Sequence, residues 1–139
     1  MIAGNDLVAL DTSVAVPLLV ATHRAHKAVA EWCRGRRLAL CGHAALETFS
    51  VLTRLPGDVR VEAADAIRLL ARFEPTVLLP EGVSARLPQT LAGAGVVGGA
   101  AYDGAVALAA VHAGVLLGTR DGRARSTYQA LGATVVVVG

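Results

Sequence analysis

Five short apolar runs punctuate the chain: "LVAL" at 7–10, "LALC" at 38–41, "TVLL" at 76–79, "VLLG" at 115–118 and "TVVVV" at 134–138. Their near-continuous apolar character predicts strands of a parallel sheet covered on both faces, not a half-exposed antiparallel one. The stretches between them carry helical spacing. One helix is predicted to follow Thr12-Ser13, residue types that suit an N-cap, and another to cover 23–34. The stretch 43–55 stops at Pro56-Gly57, and 61–73 places apolar residues at helical spacing. A weaker helix over 84–95 is interrupted by Pro88, whereas 102–114 is apolar on nearly every side and is expected to be buried. The last helix, 122–132, closes on Gly132 as its cap. Strands alternating with helices define one α/β domain over 1–139, with a central parallel sheet of about five strands flanked by helices.

Composition narrows this picture. With 139 residues, 54% of them hydrophobic and 17% charged, the chain is long enough for one core and too apolar to be disordered. A net charge of +2 argues against a generic polyanion binder. Lys27 is the sole lysine; every other basic residue is arginine. Cys33 and Cys41 have neither zinc nor redox spacing, so a reducing cytoplasm is expected. The apolar stretch 105–118 is broken by His112 and is shorter than the roughly 20 residues a membrane helix needs. The early apolar stretch lacks a basic leader and is cut by Asp11 and Pro17. Neither a secretory leader nor a membrane span is expected.

The chemistry lies in four of the eleven acidic residues. Glu31, Glu62, Asp65 and Glu74 sit among polar neighbours and read as solvated charge. Asp11 ends the first apolar strand, and Asp121 ends the fourth. Asp103 falls in the first turn of the apolar helix, where the helix dipole favours an anion. Glu47 shares a helical stripe with His43, Ala44 and Val51. In a parallel sheet the strand C-termini and the following helix N-termini share one edge, which is where such folds keep their sites. Asp11, Asp103 and Asp121 are therefore expected on that edge, with Glu47 able to join them. Such a set repels itself unless a cation sits between its members. Oxygen-only ligands select Mg²⁺ or Mn²⁺. Taken singly, Asp11 also reads as a helix N-cap, Asp103 as a helix-start acid, Asp121-Gly122 as a turn and Glu47 as half-exposed; it is the combination that points to a site.

Other signals carry less. "GAGVVG" at 93–98 matches G-x-G-x-x-G, but no strand immediately precedes it, so it reads as a glycine-rich loop. His43 reads as a helix-start or core residue, His112 as a hydrogen-bonded core histidine, and His23 and His26 as solvated. Ser13 has no evident histidine base for a serine triad. Arg34, Arg36 and Arg37 read as an exposed helix end. Arg120, Arg123 and Arg125 flank Asp121 and suit either a phosphate backbone or a solvated helix start. A phosphate-accepting receiver domain also has strand-end acids, but needs a lysine near its last strand. A non-catalytic binding module is the remaining alternative.

The stretches "ALDTSVAVPLL", "HAALETFSVLTRLP", "GGAAYDGAVALAA" and "LLGTRDGRARSTYQALG" resemble, in order, those of PIN-domain nucleases, specifically the VapC-type toxins of toxin–antitoxin pairs. The resemblance runs from about residue 8 to the end and implies a three-layer PIN-like fold. It equates Asp11, Glu47, Asp103 and Asp121 with the family's four acidic metal ligands. It gives Thr12 or Ser13 an assisting role, and Thr119 the hydroxyl position that places water or a ligand. It further implies a Mg²⁺- or Mn²⁺-dependent endoribonuclease, homodimeric, held by a cognate antitoxin and leaving 5′-phosphate and 3′-hydroxyl ends. Apolar residues of 43–55 and 61–73, Leu52 and Leu69 among them, are candidates for the antitoxin groove. Gly104 stands where these toxins usually carry alanine, which loosens that helical turn by up to about 1 kcal/mol. Gly122-Arg123 stands where some relatives carry a further acid.

Overall fold

The computed structural model describes residues 6–73 and 76–139; Glu74, expected as surface charge, lies outside them. In chain order the elements are β1 (Leu7–Leu10), α1 (Thr12–Leu19), α2 (His26–Cys33), β2 (Arg37–Cys41), α3 (Gly42–Thr53), a 3-10 turn (Gly57–Val59) and α4 (Ala63–Leu70). They continue with β3 (Thr76–Val77), α5 (Glu81–Ala85), α6 (Leu87–Gly93), α7 (Ala100–Ala113), β4 (Leu116–Thr119), α8 (Gly122–Ala130) and β5 (Val135–Val137). The five strands pair in the order β3-β2-β1-β4-β5, every pair parallel. β1 is central, with Leu10 opposite Leu40 on one side and Gly118 on the other.

The period of two along the strands sorts side chains into two cores. Ala9, Ala39 and Leu117 face α7 and α8, meeting Val106, Ala107, Ala110 and Tyr128. Val8, Leu10 and Leu40 face the other way, onto Val14 and Leu18 of α1, Val29 of α2, and Phe73. A layer of helices therefore covers each face, the three-layer arrangement expected from uninterrupted apolar strands. Alanines line both α7 and the sheet beneath it, which lets that helix lie close. The turn after α7 is made by Gly114 in the left-handed region (φ 68°), its N–H closing onto Ala110 and Val111.

Several local expectations change. The helix expected over 84–95 is two short ones, and Pro88 does not interrupt the second. It occupies its first turn, where a missing N–H costs nothing. The strand expected over 76–79 ends at Val77, leaving Leu78 exposed. His112 is exposed at the end of α7, not a core residue. His26 is half-buried and donates from Nδ1 to the Pro17 carbonyl at 2.8 Å; His23 Nδ1 accepts from Ala25 N–H at 3.0 Å. Both are structural rather than solvated. Leu52 is fully buried and unavailable to a partner, whereas Leu46 and Ile67 are the large apolar side chains exposed on α3 and α4. Cys33 and Cys41 are free and buried. No helix among the described residues is long and apolar enough to cross a membrane.

Candidate metal centre

The C-terminal ends of β1 and β4 lie side by side, because Leu10 pairs with Gly118. This register brings Asp11 to the residues that follow β4. The Asp11 N–H donates to the Gly118 carbonyl at 3.1 Å, extending the ladder one step past the strand. Asp11 stands at the N-cap position of α1, but its side chain does not cap. Its carboxylate is instead held by hydroxyls: Ser13 donates to Oδ1 at 2.5 Å, and Thr119 and Tyr128 donate to Oδ2 at 2.5 and 2.8 Å. Thr12 and Ser13, expected as caps, serve the acids.

The hydroxyls are themselves fixed. Ser13 Oγ accepts from Arg120 N–H at 2.8 Å, and Thr119 Oγ1 accepts from Asp121 N–H at 3.0 Å. Each accepts a hydrogen bond from one backbone N–H of the turn after β4 and donates its own hydroxyl hydrogen to Asp11. The arrangement locks the carboxylate in one orientation, 4% exposed.

The other acids surround it. Thr12 donates to Glu47 Oε1 at 2.9 Å, tying α1 to α3. Asp121 caps α8, its Oδ1 accepting from Arg123 and Ala124 N–H at 2.9 and 3.3 Å, which leaves Oδ2 without a donor among the described residues. Asp103 enters from the first turn of α7. Asp11, Glu47, Asp103 and Asp121 all line one cavity of about 240 Å³ with Thr12, Ser13 and Tyr128. All four acids expected from the sequence are thus brought together. Thr119 lies beneath them, buried and bonded to Asp11.

The electrostatics are those of crowded carboxylates. Burial raises the Asp103 carboxyl above its ordinary value, and Asp121, Glu47 and Asp11 raise it further, while His43 opposes them. Burial also raises Asp11, against the lowering pull of its Ser13, Thr119 and Tyr128 hydrogen bonds. Burial and the Asp11 charge push the Cys41 thiol up to about 12, so it remains protonated. The Tyr128 phenol is raised for the same two reasons and remains a donor.

Among the described residues no three acid, histidine or cysteine side chains stand so that together they could hold a metal ion. The donor set fits Mg²⁺ or Mn²⁺ nonetheless, because such ions keep several waters and take only one or two carboxylates plus substrate oxygens. A buried, oriented Asp11 and a free Asp121 oxygen, beside a carboxyl whose charge is disfavoured, are what a hard cation relieves.

Sequence reasoning missed Tyr128. Its only signal is position: Asp121, Ala124 and Tyr128 recur three and four apart, one inward stripe of α8. Gly104 has a packing explanation. A Cβ there would come within 2.5 Å of Leu91 Cδ2, so its absence lets α6 press against α7 beside Asp103.

The PIN domain family model matches residues 8–129. Ribonuclease VapC27 of Mycobacterium tuberculosis is 54% identical over 93% of this chain and 95% of its own length. Ribonuclease VapC40 of the same organism is 40% identical over 95% and 99%. FitAcB from Neisseria gonorrhoeae superposes with a TM-score of 0.70 over 92% of this chain and 95% of its own, at 21% identity, a likeness of fold. The chain belongs to the PIN-domain family, within its VapC ribonucleases.

Proposed function

We propose that the chain is a Mg²⁺- or Mn²⁺-dependent endoribonuclease, the toxin of a toxin–antitoxin pair, acting in the cytoplasm as a homodimer until a cognate antitoxin covers it. The observation that carries this reading is the convergence of Asp11, Glu47, Asp103 and Asp121 on one cavity at the C-terminal edge of the sheet.

One or two of Asp11, Asp103 and Asp121 would hold the ion directly and the others through its waters, with Glu47 at the open side. A bound Mg²⁺ or Mn²⁺ supplies Lewis acidity that makes water nucleophilic near neutral pH and offsets charge on the phosphate. The chain's own residues supply rigidity. Ser13, Thr119 and Tyr128 prevent Asp11 from turning towards solvent, so no reorganisation is needed when substrate arrives. Thr119 acts as a positioning residue for Asp11 and Asp121 together. Water adds to phosphorus, the 3′ oxygen leaves with a proton, and the products carry 5′-phosphate and 3′-hydroxyl ends.

The test is cleavage of RNA by purified protein with Mg²⁺ or Mn²⁺, followed by chemistry of the ends. Activity that stops with EDTA and leaves 5′-phosphate is expected. Cleavage persisting in excess EDTA with 2′,3′-cyclic phosphate ends would sink the mechanism.

A further inference from the structure

We propose that Tyr102, stacked on His43, is a platform that holds one unpaired RNA base beside the acid cluster. The inference rests on the ribonuclease reading and names a substrate-positioning pair for it.

Tyr102 is 63% exposed in the first turn of α7, a large aromatic side chain left in the open. It is not loose. Its ring lies against the His43 imidazole with centroids 5.1 Å apart and planes 17° from parallel. His43 comes from the first turn of α3, so the pair bridges the two helices that carry Glu47 and Asp103.

Two hollows meet at this pair. One, of about 540 Å³, is an apolar recess between α6 and α7, walled by Leu87, Leu91, Val96 and Val97 as well as both rings. The other, of about 500 Å³, is lined by the same two rings together with Glu47 and Asp103. Glu47 and Asp103 also wall the acid cavity. The three hollows therefore adjoin in a row, with apolar and aromatic lining at one end and acidic lining at the other.

A ligand matching that gradient has a flat apolar part joined to a group that binds at a metal-loaded acid centre. A nucleotide of single-stranded RNA has both. Sequence-tolerant binding of single strands uses aromatic faces in this way, because every base presents a π-face. The spacing also fits. Tyr102 and Asp103 line the same hollow, so a base on the ring belongs to a nucleotide near the phosphate at the acids. Gly104 assists by allowing α6 to close the recess.

The experiment compares parent, Tyr102→Ala, Tyr102→Leu and Tyr102→Trp in Mn²⁺-dependent cleavage of a short single-stranded RNA. A matched set of substrates carries one abasic nucleotide at each position around the cut. Tyr102→Ala is expected to raise KM by about 5- to 100-fold, the range for losing one stacked base. Tyr102→Trp should restore it and Tyr102→Leu should not. One abasic substrate should cost the parent a similar factor and cost Tyr102→Ala nothing further. Melting temperature and solution mass are followed throughout; unchanged values are expected, since the ring is exposed. A parent that cuts normally while Tyr102→Ala matches it in KM would overturn the platform alone. So would a KM loss that tracks a change in solution mass, which would make Tyr102 a protein contact. A parent that cuts no RNA would overturn the ribonuclease reading and the platform with it.

Discussion

Tyr128 donates its phenolic hydrogen to Oδ2 of Asp11 at 2.8 Å, across 117 positions of sequence. Both groups are buried, and the bond is one of three that fix the carboxylate. Tyr128→Phe removes the donor and keeps the packing of the ring. The variant should lose about 1–3 kcal/mol of stability near neutral pH, the cost of weakening a buried, charge-assisted set. Urea unfolding measures that loss. Cleavage should fall as well, because Asp11 regains freedom to turn.

Asp121 has two roles that substitution separates. Its Oδ1 caps α8, and the residue also lines the acid cavity. Asp121→Ala should cost about 1 kcal/mol through the lost cap, and Asp121→Asn much less, since Asn also caps. Both should abolish cleavage. If Asp121→Asn retained full activity, Asp121 would be a cap and nothing more.

Metal linkage tests Asp103. At a hundred times its dissociation constant, Mg²⁺ should stabilise the parent by about 2.7 kcal/mol, and Asp103→Asn far less. Thermal unfolding with Mg²⁺ and with EDTA measures both. Equal shifts in the two proteins would remove Asp103 from the ligand set.

The pH dependence has a definite sign. Asp11 and Asp103 both carry carboxyls raised above the ordinary 3.8, chiefly by burial. The folded chain then retains protons that the unfolded chain has released. Their contribution is fully present below about 3.8 and is lost as pH rises through the raised values. In EDTA, the parent should therefore lose stability relative to Asp103→Asn as pH rises from about 4 through the range where the raised carboxyl ionises. Urea midpoints across that range give the slope. A rising difference would mean that Asp103 ionises more easily in the fold than outside it.

Thr48 offers a test away from the acids. It is fully buried on α3, and among the described residues its hydroxyl has no hydrogen-bond partner. Thr48→Val replaces the hydroxyl with a methyl of similar size. It should raise stability by about 1–2 kcal/mol, because an unpaired buried hydroxyl is costly. Cleavage should be retained. A destabilised Thr48→Val would show that the hydroxyl is bonded in solution.

The central strand was legible residue by residue, since β1 occupies the 7–10 run read from its unbroken apolar character. The edge strands were legible only roughly. β3 and β5 each pair with one neighbour, so tertiary pairing trims the apolar runs at 76–79 and 134–138 to Thr76–Val77 and Val135–Val137. The acids could be placed because topology alone puts strand ends and helix starts on one edge. His112 was misread because an all-apolar helix looks buried along its whole length. The 14 residues of α7 run about 21 Å, whereas four-residue β1 runs about 13 Å, so the helix overhangs the sheet and exposes its last turn. Tyr128 was beyond reach, since no local pattern reveals a donor to a carboxylate at the other end of the chain.

The placement of β1 between β2 and β4 has a consequence for synthesis. Asp11 leaves the ribosome first, but its partner strand and the Thr119 and Tyr128 hydroxyls that hold it emerge last. A chain interrupted before β4 already contains Asp11, Glu47 and Asp103, yet its central strand has one open edge and its first carboxylate is unanchored. A fragment that stops before β4 therefore lacks the hydroxyls that orient Asp11, and the four carboxylates are assembled only once α8 has been made.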